Sequence, residues 1–164
     1  MADTNQYLIF KLDERTFALS INSIKRIALA VEVTPLPESP GIVLGVINVN
    51  GQIIPVVSIR RRFGLEEKAI GLMDHFVIAK TSTRTVAIVV DDVVGIQRIA
   101  LKSQVSKDAV LPEMKHVKGI IKIDGNIIMI HDIDDFLSLE ESRAVEKALT
   151  KMAEGKTTRK QKKK

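Results

Sequence analysis

A segment of 21 residues occurs twice in this chain, and the repetition constrains the fold more than any other feature. The first copy, residues 45–65, reads GVINVNGQIIPVVSIRRRFGL. The second, residues 119–139, reads GIIKIDGNIIMIHDIDDFLSL, 74 residues later. Gly45/Gly119, Ile47/Ile121, Gly51/Gly125, Ile53/Ile127, Ile54/Ile128, Ile59/Ile133 and Leu65/Leu139 are identical in the two. Each copy has two β-branched runs around Asn50-Gly51 or Asp124-Gly125. Asn-Gly and Asp-Gly favour the two-residue type I′ turn, whose central residues both need φ > 0. Each copy is therefore a β-hairpin that runs into a short helical turn. Ser58 and Asp132 occupy the same place in the two copies and are expected to cap that turn.

The stretch before each hairpin repeats as well. Residues 7–12 read as a strand, Asp13-Glu14 as a turn and residues 16–19 as a returning strand. Residues 75–81 and 84–88 follow the same plan at an offset of 69. Ile24 and Ile27 have counterparts in Val93 and Ile96. Residues 20–26 suit a single helical turn, residues 31–33 a short strand and residues 97–118 a connector carrying Pro112. Each half, about 5–70 and about 75–140, then holds about five short strands. That is too small a core to stand comfortably alone, so two halves packed together are expected. From Asp134 onward the apolar period lengthens. Phe136, Leu137, Val145, Leu149 and Met152 share one helical face, predicting a helix over residues 135–155 that starts at Asp134 or Asp135 and ends at Gly155. Residues 156–164 carry no apolar side chain and are expected to be disordered.

Charge and composition exclude several roles. The formal net charge of +5 belongs to the C-terminal end, where six Lys and Arg stand in the last nine residues. The rest holds 19 basic and 20 acidic residues, so the body lacks the excess basic charge of a nucleic-acid-binding core. Without cysteine there is no disulfide and no thiol nucleophile. No signal-like N-terminus and no apolar run near 20 residues is present, and a soluble cytoplasmic protein is expected. The three histidines lack metal-ligand spacing, and no phosphate-cradling glycine motif or nucleophile elbow occurs. No enzyme activity, cofactor or metal is predicted. Arg60-Arg61-Arg62 reads as a solvated helical turn or, alternatively, a patch for an acidic partner. Ile24, Ile27, Val93 and Ile96 suit core packing as well as an apolar groove between the halves.

YLIFKLDERTFALSINSIKRI, TPLPESPGIVLGVINVNGQIIPVVSIRRRFGL, TVAIVVDDVVGIQRI and GIIKIDGNIIMIHDID together resemble the CheW family of chemotaxis coupling proteins, over residues 5–140. The most specific part runs from Pro40 to Arg60. The chain is too short for the kinase CheA and has no receiver-like segment of the kind CheV carries, so a standalone member is expected. The resemblance implies an all-β fold of two packed five-stranded SH3-like β-barrels, here followed by the C-terminal α-helix. It implies a non-enzymatic adaptor between the cytoplasmic tips of chemoreceptors and the regulatory domain of the histidine kinase CheA. It would be cytoplasmic, meet the membrane only through receptor arrays and bind no nucleic acid. Receptor contact would use a groove between the barrels. Ile24, Arg26, Ile27, Gly45, Asn50, Val93 and Ile96 match positions linked to receptor or kinase contact. Arg26 and Asn50 depart from the Glu and Arg common in the family, which implies altered partner charges. The competing reading is a tandem-barrel nucleic-acid binder that uses its basic tail.

Overall fold

The computed structural model describes residues 4–100, 104–106 and 118–162. Its strands are β1 (Thr4–Leu12), β2 (Arg15–Ser20), β3 (Ile24–Leu29), β4 (Val43–Val49), β5 (Gln52–Val57), β6 (His75–Lys80), β7 (Thr85–Val90), β8 (Asp92–Ala100), β9 (Gln104–Ser106), β10 (Gly119–Ile123) and β11 (Asn126–His131). The helices are α1 (Ile59–Arg62) and α2 (Leu139–Lys162), with 3₁₀ turns at Ile21–Ser23 and Ile133–Phe136. The all-β class with a C-terminal helix is as expected from the repeat.

Both hairpin turns have the expected geometry. Asn50 and Gly51 have φ of 52° and 85°, and Asp124 and Gly125 have 48° and 81°. The registers Val49↔Gln52 and Ile123↔Asn126 close two-residue loops. Ser58 accepts from the Arg61 amide, and Asp132 from the Asp134 amide, so both caps form as the repeat suggested.

The strands do not sort by half. One sheet runs β8-β1-β2-β11-β10-β9 and the other β3-β6-β7-β5-β4. The β1–β2 hairpin of the first half thus lies among strands of the second, and β6–β7 lies among strands of the first. Parallel pairs join the exchanged pieces: β2 with β11 through Phe17↔Met129, and β5 with β7 through Val56↔Ala87. Neither half makes a barrel of its own.

Side-chain alternation explains why the exchanged hairpins are apolar on both faces. On β1, Tyr7 and Ile9 enter a cluster inside the six-stranded sheet, with Ala18, Ile121 and Ile130. Leu8, Phe10 and Leu12 point the other way into a central cluster. On β6, Phe76 and Ile78 fill the five-stranded sheet with Ile54 and Val56, while Val77 and Ala79 face the central cluster. Successive side chains alternate between faces, so a strand held between two cores needs an unbroken apolar run. Each sheet curls around its own core, and a third core, shared between them, joins the two.

Several local expectations are corrected. Residues 20–26 hold only a three-residue 3₁₀ turn, capped by Ser20, before the chain extends as β3. β-branched Ile24 and Ile27 favour that extension. Residues 31–33 form no strand, and the nearby pairing is an isolated bridge, Thr34↔Val46. The connector 97–118 contains the end of β8 and all of β9, which makes the first sheet six-stranded instead of five. Pro112 lies outside the described residues.

The C-terminal helix starts later and runs further than expected. Asp132 caps the 3₁₀ turn, and Leu137 is extended at φ −140°. A new start follows at Ser138, which accepts from the Glu141 amide while Glu141 accepts from the Ser138 amide. This is a capping box, a Ser with a Glu three residues on. The helix then passes Gly155 and reaches Lys162, through most of the segment expected to be disordered. One interior glycine costs only about 1 kcal/mol, and cations near a helix C-terminus suit its dipole. Val145 and Ala148 are buried in the central cluster, with Leu149 and Met152 packed against it.

Candidate functional site

The residues marked by the sequence fall mainly on β3 and β8. These are outer strands of different sheets and stand at equivalent positions in the repeat. Each leaves an exchanged hairpin: β3 follows β2 and pairs with β6, and β8 follows β7 and pairs with β1. Both ladders slip near their start, between Ile24 and Arg26 on β3 and opposite Ile9/Phe10 on β8. Such bulges re-aim side chains at sheet edges.

Ile24 and Val93 are half-buried and pack against the same central cluster. Ile27 and Ile96 are left in solvent, 38% and 56% exposed. The core reading therefore holds for Ile24 and Val93, while Ile27 and Ile96 stay outside the core. Neither of the two main cavities is lined by any of the four. Arg26 is exposed on β3 opposite Ile78, and Asn50 is at the tip of the β4–β5 hairpin. No ion pair or hydrogen bond joins Arg26 to Asn50 among the described residues.

Gly45 sits on β4 at φ 153°, buried against the segment after β3. A Cβ there would come within 2.2 Å of the Thr34 carbonyl oxygen and 2.7 Å of Val33. Thr34 and Val46 exchange backbone hydrogen bonds at 2.9 and 2.7 Å beside it. Gly45 is what lets those two backbones meet.

Sequence reasoning missed further apolar exposure around the site. Leu29 and Val31 extend the β3 line, and Val94 lies on β8, all more than half exposed. Strand-like alternation across 27, 29 and 31 was the available signal, hidden by the reading of residues 20–26 as a helical turn.

Of the three arginines in this helical turn only Arg61 is solvated as expected; Arg60 is buried and Arg62 half-buried, so they make no free patch. Arg60 is only 8% exposed. Its guanidinium donates to both carboxylate oxygens of Asp13 at 2.9 Å, to Asp91 at 2.7 and 2.9 Å, and to the Glu66 carbonyl at 3.0 Å. Arg61 pairs with Glu67 at 2.5 Å, and Arg62 with Glu141 of the helix cap. Asp13 is the β1–β2 turn and Asp91 is where the chain crosses between sheets, so Arg60 ties α1 to both. The Arg60 hydrogen bond holds the Asp13 carboxyl below its ordinary 3.8. A depressed folded value stabilises above the unfolded value and is lost as pH falls through the folded one. Asp13→Asn is therefore expected to flatten the fall of the urea midpoint as pH drops below about 4, relative to wild type. Parallel curves would show that Arg60 does not distinguish the two charge states.

A family model described as the CheW-like domain matches residues 6–141. The chain belongs to the CheW family. It is 34% identical over 136 residues to the chemotaxis protein CheW of Thermotoga maritima, covering 80% of this chain and 87% of that protein. It is 24% identical over 146 residues to protein FrzA of Myxococcus xanthus, covering 85% and 89%. Its fold is similar to the crystal structure of the scaffolding protein TtCheW from Thermoanaerobacter tengcongensis. There the TM-score is 0.76 and the identity 25%, over 86% of this chain and 96% of that one. The two sheets are thus the paired SH3-like barrels of a CheW fold, and the family assigns the chain a scaffold or adaptor role in chemotaxis signalling. No helix among the described residues is long and apolar enough to cross a membrane.

Proposed function

We propose that this CheW-family chain is a non-enzymatic adaptor that couples the cytoplasmic tip of a chemoreceptor to the regulatory domain of the histidine kinase CheA. The receptor helix would lie between the barrels, along β3 and β8. One observation supports this most. Two equivalent outer strands, one on each barrel, each keep an isoleucine in solvent while a neighbour anchors the strand in the shared core. A helix with an apolar stripe is the partner that two such lines accept.

The test is assembly of the chain with a receptor-tip fragment and a CheA regulatory domain, followed by size-exclusion chromatography. Ile27→Asp should keep its fold, since the side chain is already partly in water, and lose at least tenfold in receptor affinity. Val93→Asp, half-buried on the central core, should lose thermal stability instead. Full receptor binding by Ile27→Asp would overturn the β3 assignment.

Arg26 and Asn50 refine the proposal. Both are exposed, and the resemblance to the family implies a different charge at each position. A partner set with matching charges would give this adaptor its own specificity, because misplaced like charges repel the wrong partner. Arg26→Glu combined with Asn50→Arg should shift preference away from the native kinase and receptor. Unchanged affinity would sink the specificity role.

A further inference from the structure

Strand pairing fixes which way the exposed side chains of β3 point. Residues directly opposite each other in an antiparallel pair share a face of the sheet. Ile24 stands opposite Ala79 and Ile27 opposite Val77, and both partners face the central cluster. On β8, Ile96 stands opposite Leu8, which faces the same cluster. Exposed Ile27 and Ile96 therefore lie on the side where the two barrels meet. Leu29 keeps the face of Ile27, two residues on, and the alternation of exposure continues to Val31.

A tight turn carries this line further. Past Leu29, the Ala30 amide donates to the Asp74 carbonyl at 2.8 Å, and Val31 and Met73 are the next residues on the two chains. The turn from Gly71 to Asp74 is closed twice. The Asp74 amide donates to the Gly71 carbonyl at 3.1 Å, and the Gly71 amide to Asp74 Oδ2 at 2.7 Å. Its central residues, Leu72 and Met73, are 91% and 77% exposed. Such positions usually hold Gly, Asn, Asp or Ser. Here a hydrogen-bonded frame, fastened to the end of β3, holds two large apolar side chains out in water. Exposed apolar groups gathered in one place mark an interaction site.

We propose that the Leu72–Met73 turn extends the receptor-binding surface and takes one further turn of the same partner helix, beyond the reach of β3. This rests on the receptor reading of β3. Continuity names the occupant: the turn is bonded to the strand that the helix would follow, and its side chains prolong the apolar line of Ile27, Leu29 and Val31. Ile27 to Val31 is about 13 Å of extended chain. A helix rises about 5.4 Å per turn, so that line meets about two and a half turns, and the Leu72–Met73 turn meets the next. The helix that fits carries an apolar stripe at i, i+4, i+7 and i+11. A receptor whose stripe lacks the last position gains less here, so Leu72 and Met73 select among receptors.

Leu72→Ser/Met73→Ser tests it, titrated beside Ile27→Asp. Serine suits a turn and both side chains are mostly in water, so the melting temperature should match wild type. In isothermal titration calorimetry, affinity of the turn variant for a receptor-tip fragment should fall at least about tenfold. Its affinity for the CheA regulatory domain should not change. Weak receptor binding by Ile27→Asp with full binding by the turn variant overturns the role of the turn and leaves the receptor reading of β3 standing. Full binding by both variants overturns that reading and the proposal with it. An equal loss toward the kinase domain also overturns the proposal, because the turn would then not be specific to the receptor helix.

Discussion

Gly45→Ala is expected to lower the melting temperature by roughly 8–16 °C. The new Cβ would meet the Thr34 carbonyl oxygen at 2.2 Å, and backbone cannot swing away as a flexible side-chain end can. The φ of 153° adds strain for any residue with a Cβ. Overpacking and an unfavoured φ cost about 1–3 kcal/mol each, so about 4 kcal/mol together is a fair figure. Relief would require Thr34 to part from Val46 and break the bridge that joins the post-β3 segment to β4. A thermal melt followed by circular dichroism reads the effect. A shift under about 2 °C would mean that the segment yields at little cost. Any lost partner binding in Gly45 variants must be corrected for this folding defect before Gly45 is assigned a contact.

Arg60→Ala should also be severe. It leaves Asp91 partly buried, with a side chain 19% exposed, and without the guanidinium beside it. Breaking a mostly buried pair by removing one partner costs about 3 kcal/mol. The urea midpoint should fall accordingly, and adding Asp91→Asn should restore part of the loss. No recovery in the double variant would place the cost elsewhere, in lost packing of the arginine stem. Arg60→Lys should recover little, because one ammonium cannot reproduce the guanidinium fork that reaches Asp13, Asp91 and the Glu66 carbonyl together.

These two positions frame β3 and β8. Gly45 packs against the chain just after β3, and Arg60 grips the residue just before β8. The exchange of hairpins gives each barrel one strand leaving toward the outside, with its first apolar residue in the shared core. Exposed Ile27 and Ile96 are therefore carried on well-anchored elements, which would limit the ordering cost of the partner binding proposed there.

Local chemistry was legible from the residues alone. Asn50-Gly51 and Asp124-Gly125 make their turns, and Ser58 and Asp132 cap as the repeat implied. These features depend on contacts within a few residues, where φ preference and side-chain hydrogen bonding decide the outcome. The Ser138–Glu141 box was equally local and was overlooked because Asp134 and Asp135 stood closer to the apolar period. Helix length past Gly155 was misjudged because composition without apolar residues argues against packing, which a helix continuing from an anchored segment does not need.

The sequence by itself determined a duplicated β-hairpin plan, two caps and a body free of excess charge. The resemblance it carries proved right about the family. Only the tertiary structure decided that the halves exchange hairpins, that Arg60 is a buried tie, and that Leu72 and Met73 stand in water. The reason is range. Turns and caps are settled between neighbours, whereas Phe17↔Met129 and Arg60 with Asp13 join residues far apart in the chain. Burial of both faces of β1 and β6 requires a second core, and it is the packing of the whole chain that supplies one.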